Sequence, residues 1–322
     1  MPRAMATVTD PPRLAQWWFD HGVALEAEGR FDEAFAAFAK GNALRRAQLD
    51  PAGYAELAEQ TLDANLALSS QAFFERHRDQ GHPSAAPIFV IGMARSGSTL
   101  IEQILIAHRE IRGMGECNAM ARVIATHSPF QPQTPDHYRR LGAEYLRVLR
   151  ALGWKGSRRV VDKSLGNFLG APLLKLAFPR ATVIHAVRDP LDICFSIFRR
   201  NFDDLNPASF DLLDIAREYR LYRRAMDAWP VLMGGDIVEV EHEALVSEPE
   251  AQMRRLVNLV GLAWDPACLR FHEARRAVTD GAGAQVRRPL NAEGVGRWRS
   301  YRAHLGPLFE ALGPLAQKPP GS

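Results

Sequence analysis

Residues 86–108 read Ala86-Pro-Ile-Phe-Val-Ile-Gly-Met-Ala-Arg-Ser-Gly-Ser-Thr-Leu-Ile-Glu-Gln-Ile-Leu-Ile-Ala-His108. An apolar run from Ala86 to Met93 leads into Arg95, Ser96, Gly97, Ser98 and Thr99, and an amphipathic stretch follows. Strand, tight turn, helix is the simplest reading, with the helix over Ser98–Ala107. Such a turn aims successive backbone N–H groups and the positive end of the helix dipole at one point, so phosphate is the expected occupant. An ordinary strand-to-helix turn with incidental Ser and Gly is the plainer alternative. The consecutive run of Arg, Ser, Gly, Ser and Thr where the strand ends weighs against it.

Beyond this stretch, short apolar runs alternate with longer amphipathic ones, the pattern of an α/β protein. Strands are expected at Pro87–Ile91, Arg158–Val161, Thr182–Val187 and Asp236–Val240. Helices are expected at Ser98–Ala107, Pro135–Leu152, Ala171–Phe178, Leu191–Arg200, Phe210–Trp229 and Glu248–Leu259. Residues 86–322 thus form an α/β domain with a central, mostly parallel sheet wrapped by helices in three layers.

Upstream, the polar residues 77–85 serve as a linker, and residues 1–76 are helical in pattern. Trp18, Gly22 and Leu25 precede the breaker Gly29, after which Phe31, Ala34, Phe35 and Phe38 recur at helical spacing. This helical hairpin resembles one tetratricopeptide unit, with Gly41 at the late small position and no closing proline. One unit cannot bury its own face. It is expected to pack on the rest of the chain, on a further helix at about Ala52–Arg76, or on repeats outside this chain, and an oligomer through these helices is open. A structural role for the hairpin is favoured over peptide binding.

Of the 322 residues, 47% are hydrophobic and 24% charged, enough for a large core and too ordered in composition for a disordered or fibrous chain. Lys and Arg (40) nearly balance Asp and Glu (37), a formal net charge of +3, so bulk charge predicts neither a nucleic-acid nor a membrane partner. Any anion site must be local. Cys117, Cys194 and Cys268 are widely spaced and form no CxxC pair, which suits a reducing compartment, the cytoplasm, with no disulfide frame or metal site. The first residues lack an apolar signal core, and the Ala86–Met93 run is far shorter than a membrane span, so neither export nor membrane insertion is expected.

The spacing Gly92-x4-Gly97 followed by Ser98-Thr99 is that of a nucleotide P-loop, except that Ser98 stands where a triphosphate-cleaving enzyme carries lysine. That lysine ordinarily reaches the β/γ-phosphates, so its loss removes the main point charge for phosphoryl transfer. Arg95 supplies a different cation. A second anion site is expected where strand Thr182–Val187 runs into Arg188-Asp-Pro, with Ser196 two helical turns on. Ligands of open α/β sheets bind at the carboxyl edge of the strands, so both sites face one crevice. A salt-bridged helix start is the structural alternative for Arg188.

At these residues the chain resembles the sulfotransferases that use 3′-phosphoadenosine 5′-phosphosulfate (PAPS), and most closely their bacterial tetratricopeptide-type and tyrosylprotein-type branch. The likeness covers about residues 86–305. In that family the loop grips the 5′-phosphosulfate. The match is Arg95, Ser96, Gly97, Ser98, Thr99 and Leu100, with Ala94 where proline is usual. The resemblance implies that Arg188, Ser196 and Arg200 hold the 3′-phosphate. The Gly115-Glu116 element matches a family glutamate taken as the base for the acceptor proton. The tyrosylprotein branch credits a second glutamate, and that position is Cys117. His108 and His127 are weaker candidates for the base. Asp162-Lys163 resembles the family's lysine element, Lys163 reaching the bridging oxygen and Asp162 serving as its orienting partner or as a helix cap. Near the C-terminus, Gln285–Asn291 and Gly296–Tyr301 resemble a mobile closing segment over the cofactor. Arg288 is its basic residue before proline, and Arg297 and Arg299 either join it or solvate a C-terminal helix. Ala282 replaces a frequent serine, and His242 a tyrosine.

The expected function is sulfuryl transfer from PAPS to a hydroxyl or phenol of a small-molecule, glycan, lipid or peptide acceptor, without a metal. Two other readings remain. A P-loop phosphotransferase would use ATP and magnesium, but ATP has no 3′-phosphate for Arg188 and Ser196. A non-catalytic scaffold would make the helical hairpin the working part.

Overall fold

The structure, a computed structural model, describes residues 10–125, 134–202, 204, 206–273 and 290–317. His127, Ala282, Gln285 and Arg288 lie outside the described residues.

The chain opens with the helical hairpin α1 (Pro11–Ala27) and α2 (Phe31–Arg46). Its close approach depends on Gly22, where a Cβ would come within 2.5 Å of the Phe38 ring. The expected single helix over Ala52–Arg76 is instead two, α3 (Pro51–Leu68) and α4 (Gln71–His77). The cause is Ser70, whose hydroxyl accepts from Phe73 N–H at 3.1 Å and caps a new helix.

The sheet domain then runs β1 (Pro87–Gly92), α5 (Ser98–Ala107), β2 (Ile111–Gly113), α6 (Ala119–Ile124), α7 (His137–Ala151) and β3 (Arg159–Asp162). After a 3₁₀ segment, Leu165–Gly170, come α8 (Ala171–Ala177), β4 (Thr182–Val187) and α9 (Pro190–Phe198). They are followed by α10 (Leu212–Met233), β5 (Ile237–Glu241), α11 (His242–Ser247) and α12 (Pro249–Leu259). Arg297 and Arg299 stand on a 3₁₀ segment, Arg297–His304, before α13 (Gly306–Leu312).

The five strands lie in the order β2-β3-β1-β4-β5, and every described pairing is parallel. In register, Phe89 stands beside Asp162, Gly92 beside Ala186, and Val187 beside Glu241. Alternate residues feed two cores, as a sheet covered on both faces requires. Ile88, Val90, Val161 and Ile184 pack with Ile101 and Ile104 of α5 and Leu256 and Val257 of α12. Phe89, Ile91, Val160 and Val183 face the other way, into a cluster with Tyr145, Phe178 and Trp229. Phe19, Phe38, Leu62 and Phe74 join that second cluster, so the N-terminal helices share its packing. Polar ties fasten them: Asn42 Nδ2 donates to the Phe198 carbonyl at 2.7 Å, and Glu26 accepts from Arg199, Arg297 and Tyr301.

Because the strands are parallel, all five end at one edge. β1 is the point at which the chain, having built β2 and β3 on one side, crosses to β4 on the other. An open α/β sheet leaves its ligand crevice at such a point.

Candidate active site

The turn after β1 is tight because two residues accept the left-handed region: Arg95 at φ 69° and Gly97 at φ 95°. A Cβ on Gly97 would sit 2.7 Å from His242 Nδ1, so only glycine lets the loop and the start of α11 meet. The Arg95 side chain reaches sideways, its Nε donating to Ser196 Oγ at 3.0 Å. Two buried polar atoms here, Ser96 Oγ and His242 Nδ1, have no hydrogen-bond partner among the described residues. Burying such atoms unpaired costs free energy. Burial and the nearby Arg188 and Arg95 push His242 down to about 3, leaving its ring neutral.

Lys163 follows directly on β3, and Glu116 lies three residues past β2, the neighbouring strand. Lys163 Nζ donates to Glu116 Oε1 at 2.8 Å, with side-chain exposures of 1% and 49%. The pair therefore runs from a buried cation to a carboxylate that an incoming molecule can reach. Its geometry is braced by backbone: Lys163 N–H donates to the Gly115 carbonyl at 2.9 Å, and Gly115 N–H to Glu102 Oε1 of α5 at 2.9 Å. Asp162 ends β3, is buried, and lies two residues before Ser164, the N-cap residue of the 3₁₀ segment, so it is not that segment's cap. Its carboxylate accepts from Ser164 N–H (2.9 Å), Ser164 Oγ and the Tyr145 hydroxyl (2.9 Å). Burial and the Asp162 carboxylate push the Cys117 thiol up to about 12, which leaves it uncharged and unfit as a base.

Arg188 begins where β4 ends and is 6% exposed. It donates to the Arg95 carbonyl at 3.1 Å and to the Gly294 carbonyl, and it lies 3.8 Å from Asp192. Asp192 in turn accepts from the N–H groups of Gly296 (2.5 Å) and Trp298 (3.3 Å). Arg188 is thus a brace joining the loop after β1, α9 and the segment at 294–298. Arg297 points to the N-terminal helix instead, donating to Glu26 at 3.1 Å, and Arg299 stacks over Trp298. His108 is occupied by backbone, Nδ1 accepting from Glu110 N–H at 3.1 Å and Nε2 lying 3.0 Å from the Ala263 carbonyl.

A cavity of about 1020 Å³ opens at the sheet edge. Arg95, Ser98, Thr99, Glu116, Lys163 and Arg200 stand in its wall. Gly97, Ser96, Arg188 and Ser196 do not line it; Arg188 and Ser196 support it through Arg95. Part of the wall escapes sequence reasoning. Tyr54, Ala58 and Glu59 of α3, and Asp214, Arg217 and Glu218 of α10, close the far side. One signal for them existed, a carboxylate at Glu218 on the helix face of Ile215, Leu221 and Tyr222, where an apolar residue is expected.

A family model described as "Sulfotransferase family" matches residues 87–266. The chain is 30% identical over 307 residues to an uncharacterized protein of Aquifex aeolicus, spanning 89% of this chain and 40% of that one. It is 25% identical over 249 residues to protein-tyrosine sulfotransferase A of Caenorhabditis elegans, spanning 68% and 63% respectively. In both cases it covers less than two thirds of the relative's length. Among solved structures, the sulfotransferase domain of the Synechococcus PCC 7002 olefin synthase superposes with a TM-score of 0.55 at 21% identity, covering 73% of this chain and 95% of that domain. The sulfotransferase domain from the curacin biosynthetic pathway gives a TM-score of 0.50 at 17% identity, covering 74% and 97%. At such identity the likeness is one of fold.

Proposed function

The chain belongs to the sulfotransferase family, and from that premise we propose that it transfers a sulfuryl group from PAPS to a hydroxyl or phenol acceptor. The observation that carries this reading is the Lys163–Glu116 pair at 2.8 Å, placed in one cavity wall with the phosphate loop. Sulfuryl transfer needs little covalent work by the protein. It needs a base for the acceptor proton and fixed cations where charge develops.

The residues present fit the donor. A phosphate at the start of α5 would meet first-turn amide groups and the hydroxyls of Ser98 and Thr99, which line the cavity. Arg188, Ser196 and Arg200 would serve its second phosphate, with Arg288 on the segment beyond the described residues. When bound, the donor supplies an SO3 group on a phosphate leaving oxygen. Glu116, which an incoming molecule can reach, would take the proton of the acceptor hydroxyl whose oxygen receives the sulfuryl group. Lys163, buried beside it, would supply the cation for the charge that develops on the donor's leaving oxygen. Arg95, fixed by Ser196 and by the carbonyl tie to Arg188, keeps the loop in shape through the step.

The acceptor class is open among small molecules, glycans, lipids and peptides. No described helix is long and apolar enough to cross a membrane. The spacing of the three cysteines supports work in a reducing compartment such as the cytoplasm. Calorimetric titration tests the donor assignment. The expected result is micromolar binding of adenosine 3′,5′-bisphosphate and much weaker binding of magnesium ATP. The reverse order would replace the proposal with a phosphotransferase.

A further inference from the structure

The cavity is divided by charge. At the sheet edge its wall carries Arg95, Arg112, Lys163 and Arg200 against Glu102 and Glu116, a cationic excess, whereas the far wall, built by α3 and α10, carries Glu59, Asp214 and Glu218 against Arg217, an anionic excess. Two of these three acids are already matched. Glu59 accepts a two-pronged contact from Arg217 Nε and Nη2, both at 2.8 Å, and Asp214 accepts from Arg46 at 2.8 Å. Glu218 is different. Its described partner is the Tyr54 hydroxyl at 3.4 Å, and no described Lys, Arg or His is ion-paired with it. Ile215, Leu221 and Tyr222, three and four residues away on α10, are buried, and Glu218 between them is half-buried and lines the cavity. Desolvation pushes its carboxyl up to about 7, as expected of a carboxylate that lacks a cation.

We propose that this far end is an acceptor subsite for a cationic nitrogen, with Glu218 as the counter-ion and Tyr54 holding its carboxylate in place. The inference rests on the sulfuryl-transfer reading and names the acceptor class: an alcohol or phenol that also bears an ammonium or guanidinium group. A cavity of this size has room for donor and acceptor together. The polarity sorts them, anionic donor toward Lys163 and cationic tail toward Glu218. An acceptor that brings its own cation satisfies the half-buried carboxylate, and a neutral one leaves it unmatched. Discrimination of this kind comes from the unpaired group left behind as much as from the contact made.

The test compares two probes, tyramine and 4-ethylphenol, which share the phenol and differ in the ammonium. Each is titrated calorimetrically into protein saturated with adenosine 3′,5′-bisphosphate, in wild type and in Glu218→Gln. The expected result is that tyramine binds about tenfold or more tightly than 4-ethylphenol in wild type, a charge-assisted hydrogen bond's worth, and that Glu218→Gln equalises the two. Equal affinities in wild type, no binding of tyramine, or a preference that survives Glu218→Gln each overturns the subsite. Bisphosphate binding, read first in the same samples, separates the failures. If it is retained in both proteins, a negative amine result counts against Glu218 alone, and if it is absent in wild type, the sulfuryl-transfer reading falls and the subsite with it. The same titration shows that Glu218→Gln is folded.

Discussion

Replacing Arg188 with alanine should separate the brace seen in the structure from the phosphate contact proposed for the same side chain. The guanidinium is 6% exposed and serves the Arg95 and Gly294 carbonyls, with Asp192 at 3.8 Å. Its removal leaves Asp192, itself 2% exposed, without the cation that opposes its desolvation. Breaking a buried pair from one side costs about 3–5 kcal/mol. An unfolding entropy of about 2.1 cal/mol/K per residue over the 322 residues converts this into a fall in Tm of about 4–7 °C. The sign with pH follows from Asp192. Burial raises its folded-state pKa, so the penalty is absent at acid pH, where the carboxyl is protonated, and grows as pH rises toward neutrality. Losing a charge-assisted contact to phosphate should also weaken bisphosphate binding by about 10- to 100-fold. Scanning calorimetry and titration calorimetry on Arg188→Ala and on Arg188→Ala/Asp192→Asn separate the effects. The double variant should recover most of the Tm and none of the affinity. A single variant with unaltered bisphosphate affinity refutes the phosphate role, and a double variant as unstable as the single refutes the brace.

Glu116→Gln should lower kcat by about 100- to 10,000-fold while leaving bisphosphate affinity within a factor of two, as steady-state rates and titration will show. Unaltered turnover would remove Glu116 as base. Gly97→Ala forces a Cβ to 2.7 Å from His242 Nδ1 at φ 95°, and a strain of about 1–3 kcal/mol should appear as a lower Tm together with lost bisphosphate binding. For His242 the folded-state pKa of about 3 lies below its ordinary value near 6.5. The unfolded chain therefore binds the extra proton first, and stability declines as pH falls from about 6.5 toward 3. His242→Phe should flatten that part of the Tm–pH curve, and an unchanged curve would mean the ring is not held neutral.

Where the sequence and structure agree, the reason is local. The stretch at 86–108 carries its own strand, turn and helix signals, and the strands entering at residues 158, 182 and 236 are apolar runs bounded by breakers. The observed strand at Thr182–Val187 matches at both ends, and the others differ by at most one residue at either end. Arg188 was legible as a strand-end residue for the same reason, and Lys163 as the residue that follows Asp162. β2 was missed because three residues, Ile111–Gly113, are too few to show alternation. The split at Ser70 was missed because its cap is a single hydroxyl inside an otherwise helical pattern. Tyr54 and Glu218 are far apart in sequence and meet only when α3 docks on α10, an event that no local pattern encodes. The hydrogen bonds of Asp162 and the raised Cys117 thiol likewise needed Tyr145 and Ser164 in place.

The central claim is tested most directly by following the sulfuryl group itself. Purified protein is incubated with PAPS labelled in its sulfur and with alcohols and phenols, cationic and neutral, and the label and the bisphosphate are quantified together. The account predicts label on the acceptor with equimolar release of adenosine 3′,5′-bisphosphate, lost in Lys163→Ala and Glu116→Gln. Label that stays on the donor across the panel, or passes to the acceptor undiminished in Lys163→Ala, would contradict it.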